Sequence, residues 1–109
     1  MPLPPHIKAR IEQLQGAMPK QPIRDGAVAH AGRERAEIAE LFLQAGDEAS
    51  ASDWYLEAAR FSHASGDVMG AVPLVKRALR HRPGREDAAE LYAALWKLLG
   101  LGDTPEPVR

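Results

Sequence analysis

"SDWYLEAARFSHASGDVMGAVPLVKRALRHRPGR", residues 52–85, decides the fold of this 109-residue chain. Its first half carries apolar Trp54, Tyr55, Ala58, Ala59 and Phe61. Its second half carries Val75, Ala78 and Leu79 at i, i+3 and i+4. Both spacings put apolar side chains on one side of a 3.6-residue period, and no segment alternates with period two. Gly66-Asp67 separates the halves and Pro83-Gly84 closes the second. The stretch therefore predicts two helices, about 50–64 and 68–82, joined by a tight turn. Ser52 is the expected N-cap of the first, ahead of the turn that starts at Asp53. Pro73 lies inside the second. Lacking an N–H, it should bend the first turn or delay the helix start to about Gly70.

Upstream, "RERAEIAELFLQA" (33–45) gives a broad apolar face from Ala36, Ile38, Ala39, Leu41, Phe42 and Ala45, and Gly46-Asp47 ends it. Leu41–Ala51 echoes Phe61–Ala71 at an offset of 20 residues: apolar residue, Ala, Gly-Asp, then Ala five residues after the Gly. A reused helix-turn unit predicts antiparallel neighbours stacked through Gly turns. Further upstream, Ile7, Ile11 and Leu14 form a narrow stripe on a helix over 5–16, started by Pro4-Pro5. Residues 16–32, "GAMPKQPIRDGAVAHAG", contain two Pro and three Gly and read as a flexible linker that leaves the first helix loosely docked or seated on a neighbour. Downstream, a fifth helix covers 86–99 and stops at Gly100, and 101–109 reads as a disordered tail. The chain is thus expected to be all-α, with about five helices in an antiparallel array. An N-terminal helix and linker (1–32) precede a helical domain (33–100) and the tail.

Composition narrows the function classes. Charged residues make up 27% and apolar residues 45%, the balance of an ordinary globular protein. No run approaches the length of a membrane-spanning helix, and "MPLPPHIKARIEQ" turns polar too early for a secretory signal. Cysteine is absent, which excludes disulfides and thiolate chemistry and fits a reducing cytoplasm. The formal net charge of −1 gives no overall attraction to nucleic acid or anionic membrane. Nineteen Ala, and ten Arg against four Lys, suggest a GC-rich bacterial genome.

With these residues in view, the chain resembles the tetratricopeptide repeat family over roughly 33–100. The best frame is 52–85, whose 34 residues match the family period. It supplies an early aromatic (Trp54 or Tyr55), a small residue at the helix crossing (Ala59), the turn Gly66-Asp67, small Ala71 and Ala78 in the second helix, and Pro83 at its end. "REDAAELYAALWKLLG" reads as a further first helix, with Ala93, Trp96 and Gly100. Phe61 and Pro73 depart from the pattern.

No chemistry-bearing motif accompanies the helices. His6, His30, His63 and His81 do not pair at i, i+4, and no phosphate-binding, nucleotide-binding, calcium-loop or nucleophile-elbow pattern is present. Neither enzymatic activity nor a metal or cofactor is expected. The acids of "GDEASASD" suit helix N-termini, and Arg33–Glu37 is an i, i+4 pair.

The resemblance implies a non-enzymatic module that holds a peptide or partner helix in a groove lined by the first helix of each pair. In this frame the groove positions are Asp53, Leu56, Arg60 and His63, then Asp87, Glu90, Ala94 and Lys97. Members of the family that clamp a terminal carboxylate place Lys, Arg and Asn there. Asp87 and Glu90 depart from that pattern, so a mixed or partly basic ligand is expected. Two other readings stand beside it. One is a structural homo-oligomerisation module with Leu98, Leu99 and Leu101 as a self-complementary patch. The other is nucleic-acid binding through a basic outer face of Lys76, Arg77, Arg80, Arg82 and Arg85. Against the second stand the balanced net charge and the lack of an aromatic platform. Cations at a helix C-terminus also offset the macrodipole without any ligand.

Overall fold

A computed structural model describes residues 2–24 and 29–108, which form five α-helices and no strand. They are α1 (Pro5–Ala17), α2 (Arg33–Gln44), α3 (Glu48–Ala64), α4 (Val68–His81) and α5 (Glu86–Leu98). Each helix packs chiefly on its neighbours in sequence, α1 on α2, α2 on α3, α3 on α4 and α4 on α5. The Cα envelope is a slab of 44 × 34 × 16 Å. Its short dimension matches two packed helices, about 13–15 Å between outer Cα atoms.

The 20-residue echo is a repeated backbone device. At the end of α2, Asp47 N–H donates to Phe42 O and Gly46 N–H to Leu43 O. At the end of α3, Asp67 N–H donates to Ser62 O and Gly66 N–H to His63 O. Both pairs are the Schellman closure, which needs a left-handed residue. Gly46 (φ 81°) and Gly66 (φ 87°) supply it without the penalty a Cβ would bring. The Asp that follows each Gly then opens the next helix: Asp47 accepts from Ser50 N–H and Asp67 from Gly70 N–H, both at 3.0 Å. Helix exit and helix entry are thus fused into two residues. The same closure ends α5, where Leu101 N–H donates to Trp96 O and Gly100 N–H to Lys97 O. Leu101 cannot cap, and no further helix follows within the described residues.

These caps revise two expectations about helix starts. The third helix begins at Glu48 under Asp47, and Ser52 is not its cap; it is fully buried and donates its hydroxyl to Ala78 O at 2.8 Å. Pro73 does not delay α4, which starts at Val68 under the Asp67 cap and continues through the proline. Where described, the long connection and the last segment make contacts with the helices. Ile23 N–H donates to Ser65 Oγ, and Arg35 donates to Pro19 O. Val108 packs against the core. Residues 25–28 of the connection, with Met1 and Arg109, lie outside the described residues.

Small and large residues divide the core between them. Ala39, Ala51, Ala59, Ala71, Ala78 and Ala88 are fully buried, and with no side chain beyond Cβ they let the helices approach closely. Tyr55, Leu56, Val75 and Leu95 fill the spaces beside them. A second cluster seats α1: Ile7, Ile11 and Leu14 close on Ile38 of α2. The first helix is therefore docked on its own chain.

Candidate functional site

The groove positions form part of a charged seam. Asp53, Glu57 and Arg60 follow one another at i, i+4 and i+7 along exposed α3. The α4–α5 connection brings Arg82 and Arg85 against them, and Asp87 and Glu90 come from the start of α5. Arg85 is the centre. Its Nη1 donates to the Asp53 carboxylate. Its Nε and Nη2 grip Asp87 in a two-point bond at 2.7 and 3.2 Å. Arg82 lies 3.8 Å from Asp53, and Arg60 lies 3.9 Å from Asp87 and 3.2 Å from Glu57. The Arg85 hydrogen bond holds the Asp87 carboxyl below the usual carboxylate range, and in return Asp87 pushes Arg85 up. A shallow polar depression beside the seam is edged by Arg82, Arg85, Asp87 and Glu90.

Asp53, Arg60 and Asp87 are thus brought together. His63, Glu90 and Lys97 take no part in these ion pairs. Leu56 is corrected outright: although i, i+3 and i, i+4 spacing set it beside Asp53 and Arg60, it is fully buried and belongs to the core cluster with Tyr55, Ala59, Val75 and Leu95. The basic outer face is corrected as well. Arg82 and Arg85 turn towards the acids of α3 and α5, leaving Lys76, Arg77 and Arg80 on α4. There Arg77 sits 5.9 Å over the Tyr55 ring. That ring also stacks on His81, and its hydroxyl donates to Glu40 at 2.7 Å. Burial and the Glu40 bond raise the Tyr55 pKa well above its ordinary value.

A different surface carries the larger opening. The loop into α2 is pinned across α3 and α4, with His30 N–H on Asp67 and Gly32 N–H on Ser62 Oγ. Between the start of α2 and the first half of α4 lies an open cleft of about 700 Å3. Ala36, Pro73 and Leu74 give it an apolar floor, with Arg33, Met69 and Arg77 on its rim. Met69 is 71% exposed, unusual for a large apolar side chain. Pro73 has no N–H to offer the Met69 carbonyl one turn back. Asp67, the acid at this cleft, accepts from two backbone N–H groups, and Arg33 on the rim lies 3.4 Å from Glu34.

The sequence reasoning missed this cleft. Its signal was Met69 and Pro73, an i, i+4 apolar pair off the Ala71–Val75–Ala78 stripe that faces the core. Among the described residues no group of three or more His, Asp or Glu is placed to hold a metal ion, and no helix is long and apolar enough to cross a membrane. No family model matches the chain, and neither does any curated protein or solved structure.

Proposed function

We propose that this protein is a non-enzymatic interaction module of tetratricopeptide-like build that docks a segment of a partner protein, acting as an adaptor or scaffold in the cytoplasm. The observation that carries this reading is the open apolar cleft between α2 and α4. An apolar floor takes side chains of a partner segment, as helix-in-groove and extended-peptide modes both require. Arg33 and Arg77 on the rim favour acidic residues flanking those anchors. The expected ligand therefore changes from partly basic to acidic and apolar. Of Asp87 and Glu90, which had suggested a mixed or partly basic ligand, Asp87 is already matched by Arg85.

Affinity capture with three forms of the chain tests the reading. Wild type is expected to retain a stoichiometric partner, Met69→Asp to lose it, and Lys97→Glu on the original groove face to keep it. Loss with Lys97→Glu and retention with Met69→Asp would return the site to the α3–α5 face. Retention by both variants, or no partner at all, overturns the cleft. Exposed Leu98 (62%) and Leu101 (56%) favour a second reading, self-association through the end of α5. Light scattering at two concentrations decides it. A mass that rises in wild type but not in Leu98→Asp supports the dimer, and a constant monomer removes it. Nucleic-acid binding is the weakest reading because Arg82 and Arg85 are engaged with Asp53 and Asp87. Absence of binding at low salt excludes it.

A further inference from the structure

The segment after α5 turns back and lies across the fold. Pro105, Glu106, Pro107 and Val108 face Leu79 and Pro83 at the end of α4, and Ala89 and Tyr92 of α5, around a cleft of about 230 Å3. Pro105 and Val108 are half-buried while Glu106 and Pro107 are exposed. Inward positions three apart are the repeat of a polyproline II helix. Two prolines hold that backbone shape and remove two N–H groups that would otherwise need acceptors.

The seat under this segment is aromatic. Tyr92 and Trp96 meet edge to face with centroids 5.9 Å apart. Tyr92 is 3% exposed. Its hydroxyl and the Trp96 indole N–H are both buried with no hydrogen-bond partner among the described residues. The chain passes the indole with Gly102, where an added Cβ would lie 3.8 Å from Nε1. Burying a donor without an acceptor costs free energy. A polyproline segment leaves its own carbonyls unbonded, so it is the kind of ligand that can answer two such donors. The segment lies against Tyr92, and Gly102 just before it passes the Trp96 indole, without a bond to either donor, so it is seated but not locked.

We propose that the α4–α5 groove is a docking site for an extended proline-containing peptide of a partner protein, and that Thr104–Val108 is its built-in occupant, which the partner peptide displaces. This goes beyond the α2–α4 cleft, which uses the opposite end of α4, and either site can fail without the other.

The test uses the full chain and a capped synthetic peptide, Gly-Asp-Thr-Pro-Glu-Pro-Val, with a Pro→Ala version as control. The double variant Pro105→Gly/Val108→Asp is expected to keep its helical circular dichroism and to shift the NMR signal of the Trp96 indole N–H, assigned with Trp96→Phe. Peptide added to this variant is expected to move the signal back saturably, at least tenfold more tightly than it binds wild type and than the control binds the variant. An indole signal unchanged by the variant, or no peptide response at millimolar concentration, overturns the proposal. Pro105→Gly alone carries the same comparison if the double variant loses helix. A wild-type mass that doubles with concentration, and stays monomeric in the variant, assigns the segment to a second copy and overturns the internal strap.

Discussion

At the scale of single residues, Gly32 shows why close packing matters more here than side-chain chemistry. A Cβ at this position would lie 2.5 Å from Ala58 O and 2.8 Å from Ser62 Oγ. The loop that enters α2 therefore rests directly on the backbone of α3. Gly32→Ala should cost about 1–3 kcal/mol, the usual penalty of overpacking. A thermal melt checks it, and an unchanged midpoint would show that the loop can lift off without loss. Nothing in the sequence marked Gly32 for this role, since it reads as one more glycine of a linker. Arg85 was illegible for a related reason. Its position after Pro83-Gly84 was plain, but a long side chain can reach either neighbouring helix, and spacing along the chain does not say which acids it meets. Leu56 failed differently: its spacing from Asp53 and Arg60 is that of one helix face, and only its packing in the core cluster shows that it is buried.

At the scale of elements, most of the fold was legible. Apolar stripes of period 3.6 marked all five helices, and the Gly-Asp echo marked two of the turns. The misplaced cap at Ser52 came from treating every Ser or Asp near a helix start as equivalent. Gly46 decides between them, because a left-handed residue hands the chain straight to Asp47. The α4 helix carries its own inconsistency in Pro73, six positions in, where neither a missing donor nor a ring clash is readily tolerated. Pro73→Ala is expected to stabilise the protein by about 1–3 kcal/mol, raising the melting midpoint by several degrees. It should also weaken binding of the partner proposed for the α2–α4 cleft, because the mutant N–H claims the Met69 carbonyl at its rim. A midpoint that falls would show that the ring packs better than its exposure implies. Gain of stability with loss of binding is the pattern of a strained site retained for function.

At the scale of the whole molecule, the ion pairs set the pH range of stability. Asp87, through its hydrogen bond from Arg85, and Asp47, through those from Ser50, are held below the ordinary aspartate pKa. A lowered folded-state pKa means that the unfolded chain takes up protons first. This stability is complete above the unfolded value of about 3.9 and is lost as pH falls through and below it. Tyr55 works in the opposite sense: its raised pKa favours the neutral phenol, so its contribution fades as pH climbs above about 10. Thermal midpoints are therefore expected to be level from about pH 5 to 9 and to fall on either side. Asp87→Asn should melt lower than wild type at pH 7, with the gap closing towards pH 2.5. A constant gap across that range would show that the Arg85–Asp87 pair adds nothing specific to folding.

The packing of each helix on its sequence neighbours also governs how the chain reaches this state. Loops of three residues close between α2 and α3 and between α3 and α4, so little entropy is lost before contacts form. Topologies of this kind refold in about microseconds to milliseconds. The α3–α4 hairpin, flanked on both sides, is the natural nucleus from which order spreads outward. α1 and the Thr104–Val108 strap sit at the two open ends of that sequence, last to settle and first to release. A chain packed this way can expose the groove under Thr104–Val108 by a small local opening while its centre stays folded.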